Sequence, residues 1–282
     1  MDKNYLIRSI TKEEMKYPVE WAADEGWNPG IHDIDAFYHT DPNGFFVGFL
    51  DGKPISSISA VSYGNSFGFM GFYIVKPEYR GRGYGYQIWQ HAVNYLKNHN
   101  IGLDGVVAQQ SNYKKSGFKM AYRNIRFQTK GTGGKHVASG LDKLSTIPIG
   151  EIVKYDQQFF PAIRNTFLEY WFAQAQSTSL ATISKGKLKG YGMIRKCRSG
   201  YKIGPLFADS KTYADKLLTS LLSFAPKGTD VYFDVPEPNI AAMALAQKYQ
   251  MTKVFETARM YTKGDPGIPI NKVFGITTFE LG

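Results

Sequence analysis

The stretch VKPEYRGRGYGYQIW, residues 75–89, sets Gly81, Gly83 and Gly85 alternately among bulky residues, with Arg80 and Arg82 beside them. An apolar run, GFMGFYIV, precedes it. A helical pattern follows over residues 84–98, with Ile88, Ala92, Tyr95 and Leu96 on one stripe. A glycine-rich turn between strand and helix leaves the chain few options. Glycine accepts positive φ and lets a ligand approach the backbone closely. Several N–H groups converge there with the helix dipole behind them, and two arginines add charge, so the turn predicts a phosphate site. Two common phosphate loops do not fit. The dinucleotide fingerprint requires G-x-G-x-x-G, whereas the spacing here is G-x-G-x-G. The P-loop requires G-x-x-x-x-G-K-[ST], and the nearest approach, GTGGKH, puts His136 after Lys135.

The surrounding pattern predicts an α+β fold. YLIRSI reads as a strand, and TKEEMKYPVEWAADEG as a helix opened by a Thr11–Glu14 capping box. A helical piece spans residues 33–38. GFFVGFL and KPISSISAVSY form a hairpin about Asp51-Gly52, and further strands lie at residues 103–108 and in KMAYRNIRFQ. The result is a mixed, mostly antiparallel central sheet with helices on both faces. The glycine-rich connector TKGTGGKH marks a boundary, giving a first domain over 1–130, a linker over 131–149 and a second domain over 150–282. In the second, residues 156–173 and 211–224 read as helices, the latter with a stripe of Ala214, Leu217, Leu218, Leu221 and Leu222. Strands fall at about 189–198, 201–207, DVYFDV and KVFETARMYT, a helix at 238–249, and a last strand in NKVFGITTFEL. The order over 201–262 repeats that over 67–127, which predicts two tandem related domains.

Composition narrows the function classes. Among 282 residues, 43% are hydrophobic and 15% aromatic, enough for a packed core. One cysteine, Cys197, cannot form an internal disulfide and suits a reducing, cytoplasmic setting, where it reads as a buried small hydrophobe. No apolar run reaches membrane-span length, so no membrane partner is expected. The net charge of +10 is uneven: +3 over residues 1–130 and +7 over 131–282. The densest basic segment, KGKLKGYGMIRKCRSGYK, reads first as a solvated hairpin face, which disfavours nucleic acid as a partner. The five histidines show no metal spacing with carboxylates or Cys197, so no metal is expected.

RGRGYG, residues 80–85, matches the [QR]-x-x-G-x-[GA] signature and resembles that of the GCN5-related N-acetyltransferases. FYIVKPEY resembles that family's fourth strand and its lead-in, and YKKSGFK, residues 113–119, its Y-x-x-x-G-F segment. The resemblance covers about residues 4–128. It implies the acyl-CoA N-acyltransferase fold, acetyl-CoA as the acetyl donor, and transfer to a primary amine of a small-molecule acceptor. Arg80, Gly81, Arg82, Gly83, Tyr84, Gly85 and Tyr86 would cradle the pyrophosphate. Phe72, Tyr73, Ile74 and Val75 would splay from the next strand and pair with the pantetheine arm, an amide near Ile74 polarising the thioester.

Tyr113 takes the family's general-acid place, against a plain role packing on Phe118. Asn112 stands where the family's coenzyme-contacting asparagine would be, although only QQSN separates strand from tyrosine, so the intervening helix is shortened or lost. The strand at 69–75 carries no carboxylate to act as base. Glu25, with His32 and Asp33, flanks WNPG, and Trp27 and Asn28 join them as candidates for the acceptor pocket, with Glu25 as the candidate base and a water chain as an equal alternative. Residues from about 150 resemble a second, degenerate repeat, where Gly204-Pro205 and Phe207 replace the glycine loop, so one coenzyme site is expected. The alternative to an enzyme is a non-catalytic acyl-CoA-binding or regulatory module. Homodimerisation is left open.

Overall fold

Runs of β-branched and aromatic residues become strands in the order read from them. A computed structural model describes residues 4–282. In it β1 (Tyr5–Ser9), β2 (Phe45–Leu50), β3 (Lys53–Tyr63) and β4 (Phe67–Val75) form an antiparallel meander. Between β1 and β2 lie α1 (Lys16–Asp24) and α2 (Asp33–Thr40). The glycine turn leads into α3 (Tyr84–Tyr95), which crosses over to β5 (Asn100–Val106), parallel to β4. Then come α4 (Gln110–Lys115) and β6 (Lys119–Lys130). Side chains alternate across the sheet, so the two faces carry separate cores. Phe37, Phe45, Phe69 and Phe72 pack with α1 and α2 on one face, whereas Ile58, Ala60, Met70 and Leu103 pack with α3 on the other.

The second half has β7 (Leu141–Lys143), α5 (Ile149–Asp156), α6 (Asn165–Phe172), β8 (Ser177–Ser184), β9 (Lys187–Lys196) and β10 (Tyr201–Ala208). It continues with α7 (Lys211–Phe224), β11 (Asp230–Pro236), α8 (Ile240–Lys248), β12 (Thr252–Tyr261) and the short β13 (Val273–Gly275). β10–α7–β11 repeats the parallel crossover of β4–α3–β5. The strands join in one sheet ordered β1-β2-β3-β4-β5-β12-β6-β11-β10-β9-β8-β7, with β13 on β10. The last strands of the two halves are therefore exchanged. β12 lies between β5 and β6, and β6 lies between β12 and β11.

Buried ion pairs lock this seam. Arg259 on β12 forks onto Asp104 on β5 at 2.9 and 2.6 Å, and Arg126 on β6 onto Asp234 on β11 at 2.7 and 2.8 Å. Away from the seam, Asp33 at the start of α2 accepts from Arg195 on β9, and α2 stacks Phe37 on Trp171 of α6 at 6.0 Å.

Four details differ from the sequence reading. The single helix expected over 156–173 is two, α5 and α6. Pro161 cannot continue a helical ladder, and Arg164 folds back onto Asp156 with two 2.8 Å bonds. The Ser/Thr-rich β8 was not expected; it pairs with β9 through a turn in which Lys185 and Gly186 both take positive φ. The basic segment is not simply a solvated face, because Arg195 and Lys202 are buried. Of the expected last strand only β13 forms, and residues 276–282 run on as buried, non-strand chain.

Candidate active site

Local backbone chemistry shapes the site. Phe72 sits at φ 48° within β4, its carbonyl accepts from Ser57 Oγ at 2.8 Å, and the β3–β4 register shifts there, the marks of a bulge. Pairing of β4 with β5 ends at Met70–Leu103, so residues 71–75 diverge from β5. At Gly71 a side chain would run into the backbone of Glu280, so glycine is required for the tail to pack here.

The glycine turn follows. Gly83 takes φ 85° as the N-cap of α3, and a Cβ built on Gly81 or Gly83 would meet open space. Arg80 N–H is bonded to Pro77 O at 3.2 Å and Gln87 N–H to Gly83 O at 3.2 Å. Among the described residues, no backbone carbonyl is bonded to the amides of Gly81, Arg82 or Gly83. With the first-turn amides of Gly85 and Tyr86 they form a concave, unspent donor set, which fits a diphosphate. Tyr84 is buried and its ring meets Tyr5 at 4.9 Å, anchoring the helix start. Arg82 lies over Tyr79 and Tyr84 at 5.9 and 5.5 Å. The Arg80 guanidinium donates from Nε to Val75 O at 2.8 Å and pairs with the Glu25 carboxylate.

Between this turn and the diverging strand lies a cavity of about 560 Å³. Phe72, Tyr73, Ile74 and Val75 line it, as do Arg80, Gly81, Gly83, Gly85 and Tyr86. Tyr113 lines it from α4, the short helix that survives between β5 and β6. The Tyr113 ring stacks on Trp89 at 5.5 Å, in the core cluster that also holds Phe118. It therefore both packs in the core and lines the cavity. Burial pushes the Tyr113 phenol well above its ordinary range, so it keeps its proton at neutral pH.

The acceptor candidates part company. Glu25 and Trp27 line the cavity, Glu25 with its carboxylate held by Arg80. Asn28 turns instead to Ser199, donating to its carbonyl at 2.8 Å and accepting from its amide at 2.9 Å. Asp33 is spent on Arg195 and on the amide of Gly30. His32 precedes α2 without a side-chain cap. None of these three lines the cavity, nor does Asn112, which donates to Gln109 Oε1 at 2.7 Å.

The second half supplies what sequence reasoning missed: Phe255 and Thr257 of β12 and Phe279 and Glu280 of the tail also line the cavity, as does Asp104 of β5. An acid inside the apolar LDGVV and another inside the apolar TTFEL were the available signals. Asp104 is held by Arg259 and by Asn124 at 2.7 Å, yet burial raises its pKa. Arg126 and Lys202 reach beneath the cavity, donating to Trp27 O at 3.0 Å and Asn28 O at 3.0 Å. Burial, and then Arg126, lowers the Lys202 pKa. Among the described residues, no group of three His, Cys, Asp or Glu side chains could hold a metal ion, and no helix is long and apolar enough to cross a membrane.

Known proteins share this architecture. The model of the acetyltransferase (GNAT) family matches residues 7–118, and that of an acetyltransferase (GNAT) domain matches residues 152–275. Holothin acyltransferase of Pseudoalteromonas sp. (strain SANK 73390) is 31% identical over 280 residues, covering 99% of this chain and 95% of that protein. The crystal structure of a putative acetyltransferase from Pyrococcus horikoshii superposes with a TM-score of 0.85 at 22% identity, over 99% of this chain and 96% of that one. A tandem GNAT protein from the clavulanic acid biosynthesis pathway superposes with a TM-score of 0.62 at 12% identity, over 93% and 99% of the two chains.

Proposed function

The chain belongs to the GNAT acyltransferase family, with one such domain matched in each half, and from that premise we propose that it moves an acetyl group from acetyl-CoA to a primary amine of a small molecule. One observation carries this reading: a single cavity is bounded by unspent loop amides on one side, an open strand on another and a protonated phenol. In this reading the amides of Gly81, Arg82, Gly83, Gly85 and Tyr86 hold the diphosphate. The backbone of residues 71–75 lines the pantetheine arm and offers a fixed donor to the thioester oxygen as it gains charge. Tyr113 gives its proton to the departing sulfur. Trp27 and Glu25 stand at the acceptor side, Glu25 positioning Arg80. The second half lacks an equivalent glycine turn between β10 and α7, so the donor binds once, in the first half.

The test is thiol release. Acetyl-CoA is mixed with holothin, primary alkylamines, arylamines and amino acids, and free CoA is followed; binding of acetyl-CoA is measured separately by calorimetry. Turnover with at least one amine is expected. Tight binding of acetyl-CoA without thiol release from any amine would favour the acyl-CoA-binding module instead. Failure to bind acetyl-CoA at millimolar concentration would remove the reading.

A further inference from the structure

A buried glutamate, set inside the apolar TTFEL, is among the residues of the cavity wall. Glu280 is 3% exposed, yet it lines the cavity between β4 and the tail. A buried carboxylate normally has a cationic partner or several donors, because desolvating an unpaired charge costs several kcal/mol, roughly. The other acids near it are spent. Asp104 is forked by Arg259, Asp234 by Arg126, Asp33 by Arg195, and Glu25 is held by Arg80. Glu280 has no ion pair among the described residues; its side chain accepts one bond, from the Thr278 hydroxyl. The cations Arg126, Arg195 and Lys202 feel its charge without bonding it. The tail around it is held by several contacts. Gly71 of β4 packs against its carbonyl, Tyr63 Oη donates to the Leu281 carbonyl at 3.0 Å, and Arg164 donates to Thr277 Oγ1 at 3.1 Å and to the Gly282 carbonyl at 3.3 Å.

We propose that Glu280 is the group that binds the acceptor's ammonium and takes its proton. The inference rests on the acyltransfer reading above and gives it the base that β4 lacks. Glu280 removes one proton from the ammonium. The freed nitrogen lone pair forms the C–N bond at the thioester carbon, and the C–S bond breaks with its electron pair going to sulfur. Tyr113 protonates that sulfur, and the second proton lost by nitrogen restores the phenol. Glu280 then passes its proton to solvent. The balance is one amide, one thiol and one released proton. An acceptor with a cationic amine is selected over one with a hydroxyl or an anionic group, because Glu280 is the carboxylate of this wall that has no ion-pair partner among the described residues, whereas Glu25 and Asp104 are held by Arg80 and Arg259.

The experiment compares the full-length protein with Glu280→Gln and Thr278→Val, using acetyl-CoA with holothin and the amine panel. A limb of the pH profile that persists across amines of different basicity belongs to the enzyme. For Glu280→Gln the expected result is a fall in kcat/KM of about 10²-fold or more, loss of that acid limb, and a Kd for acetyl-CoA within about two-fold of the unaltered protein. Thr278→Val removes the one hydroxyl that, among the described residues, donates to the Glu280 carboxylate, so the acid limb is expected to move while the rate on its plateau is retained. Retention of rate and limb in Glu280→Gln would overturn the proposal. So would a loss of acetyl-CoA binding in Glu280→Gln together with an unmoved limb in Thr278→Val, which would make Glu280 structural. No thiol release by the unaltered protein from any amine would remove the acyltransfer reading itself, and this proposal with it.

Discussion

At the residue scale, the site separates what binds from what reacts. Gly83 holds φ 85° at the N-cap of α3 and faces open space, so a methyl group there strains the backbone but hits no protein atom. Gly83→Ala should cost about 1 kcal/mol of stability, read from denaturant midpoints, and weaken acetyl-CoA binding at least ten-fold by calorimetry. Tyr113 acts later. Its phenol keeps its proton across the neutral range, and Phe preserves the stack on Trp89. Tyr113→Phe should therefore lower kcat by about 10²-fold, with acetyl-CoA affinity within two-fold. That the loop glycines and Tyr113 line one cavity was legible, the glycines from their spacing between strand and helix and Tyr113 from the family resemblance of its segment. Glu280 and Thr257 were not, since Thr257 reaches the cavity through the exchange of β12 and Glu280 through a non-strand tail packed on Gly71 of the first half. Asn28 and Asp33 were misleading for the same reason: their partners, Ser199 and Arg195, lie more than 160 residues away.

At the element scale, sequence rules held where local chemistry decides and failed where distant contacts do. α7 runs over the residues its apolar stripe marked, with Ser210 accepting from Tyr213 N–H at 3.3 Å as its cap. Only half of the capping box before α1 forms: Glu14 accepts from the Thr11 amide at 3.1 Å, but the Glu14 amide bonds the Thr11 carbonyl rather than its hydroxyl, in a 3₁₀ turn over Glu13–Met15. Hydrogen bonds from Arg8 hold the Glu14 carboxyl down at about 2, below its usual 4.5. A depressed carboxyl stabilises the fold above its unfolded pKa, and that stability is lost as pH falls from about 4.5 toward 2. Because the pair is part-exposed, Glu14→Gln should cost only about 0.5–1 kcal/mol at pH 7. The difference from the unaltered protein should vanish near pH 2 in urea titrations. The tail could not be read in this way, because a buried non-strand segment has no period.

At the scale of the whole molecule, stability and site share the same contacts. Arg164 is fully buried, forks onto Asp156, and also holds Thr277 and the Gly282 carbonyl. Arg164→Met leaves Asp156 buried without its partner, which should cost about 3–5 kcal/mol, measured as a lowered denaturation midpoint, and should loosen the wall that carries Glu280. A fragment of residues 1–130 should fail to stay monomeric, because without β12 the edges of β5 and β6 are unpaired; size-exclusion chromatography of the fragment against the full chain checks this.

The exchange of last strands also sets a clock on synthesis. Roughly 120 residues separate the end of β6 from the start of β12, or roughly 6–25 s of translation at 5–20 residues per second. Throughout that interval the emerging first half holds a gap one strand wide, so the nascent chain must be kept from aggregating until its own later sequence arrives to fill it.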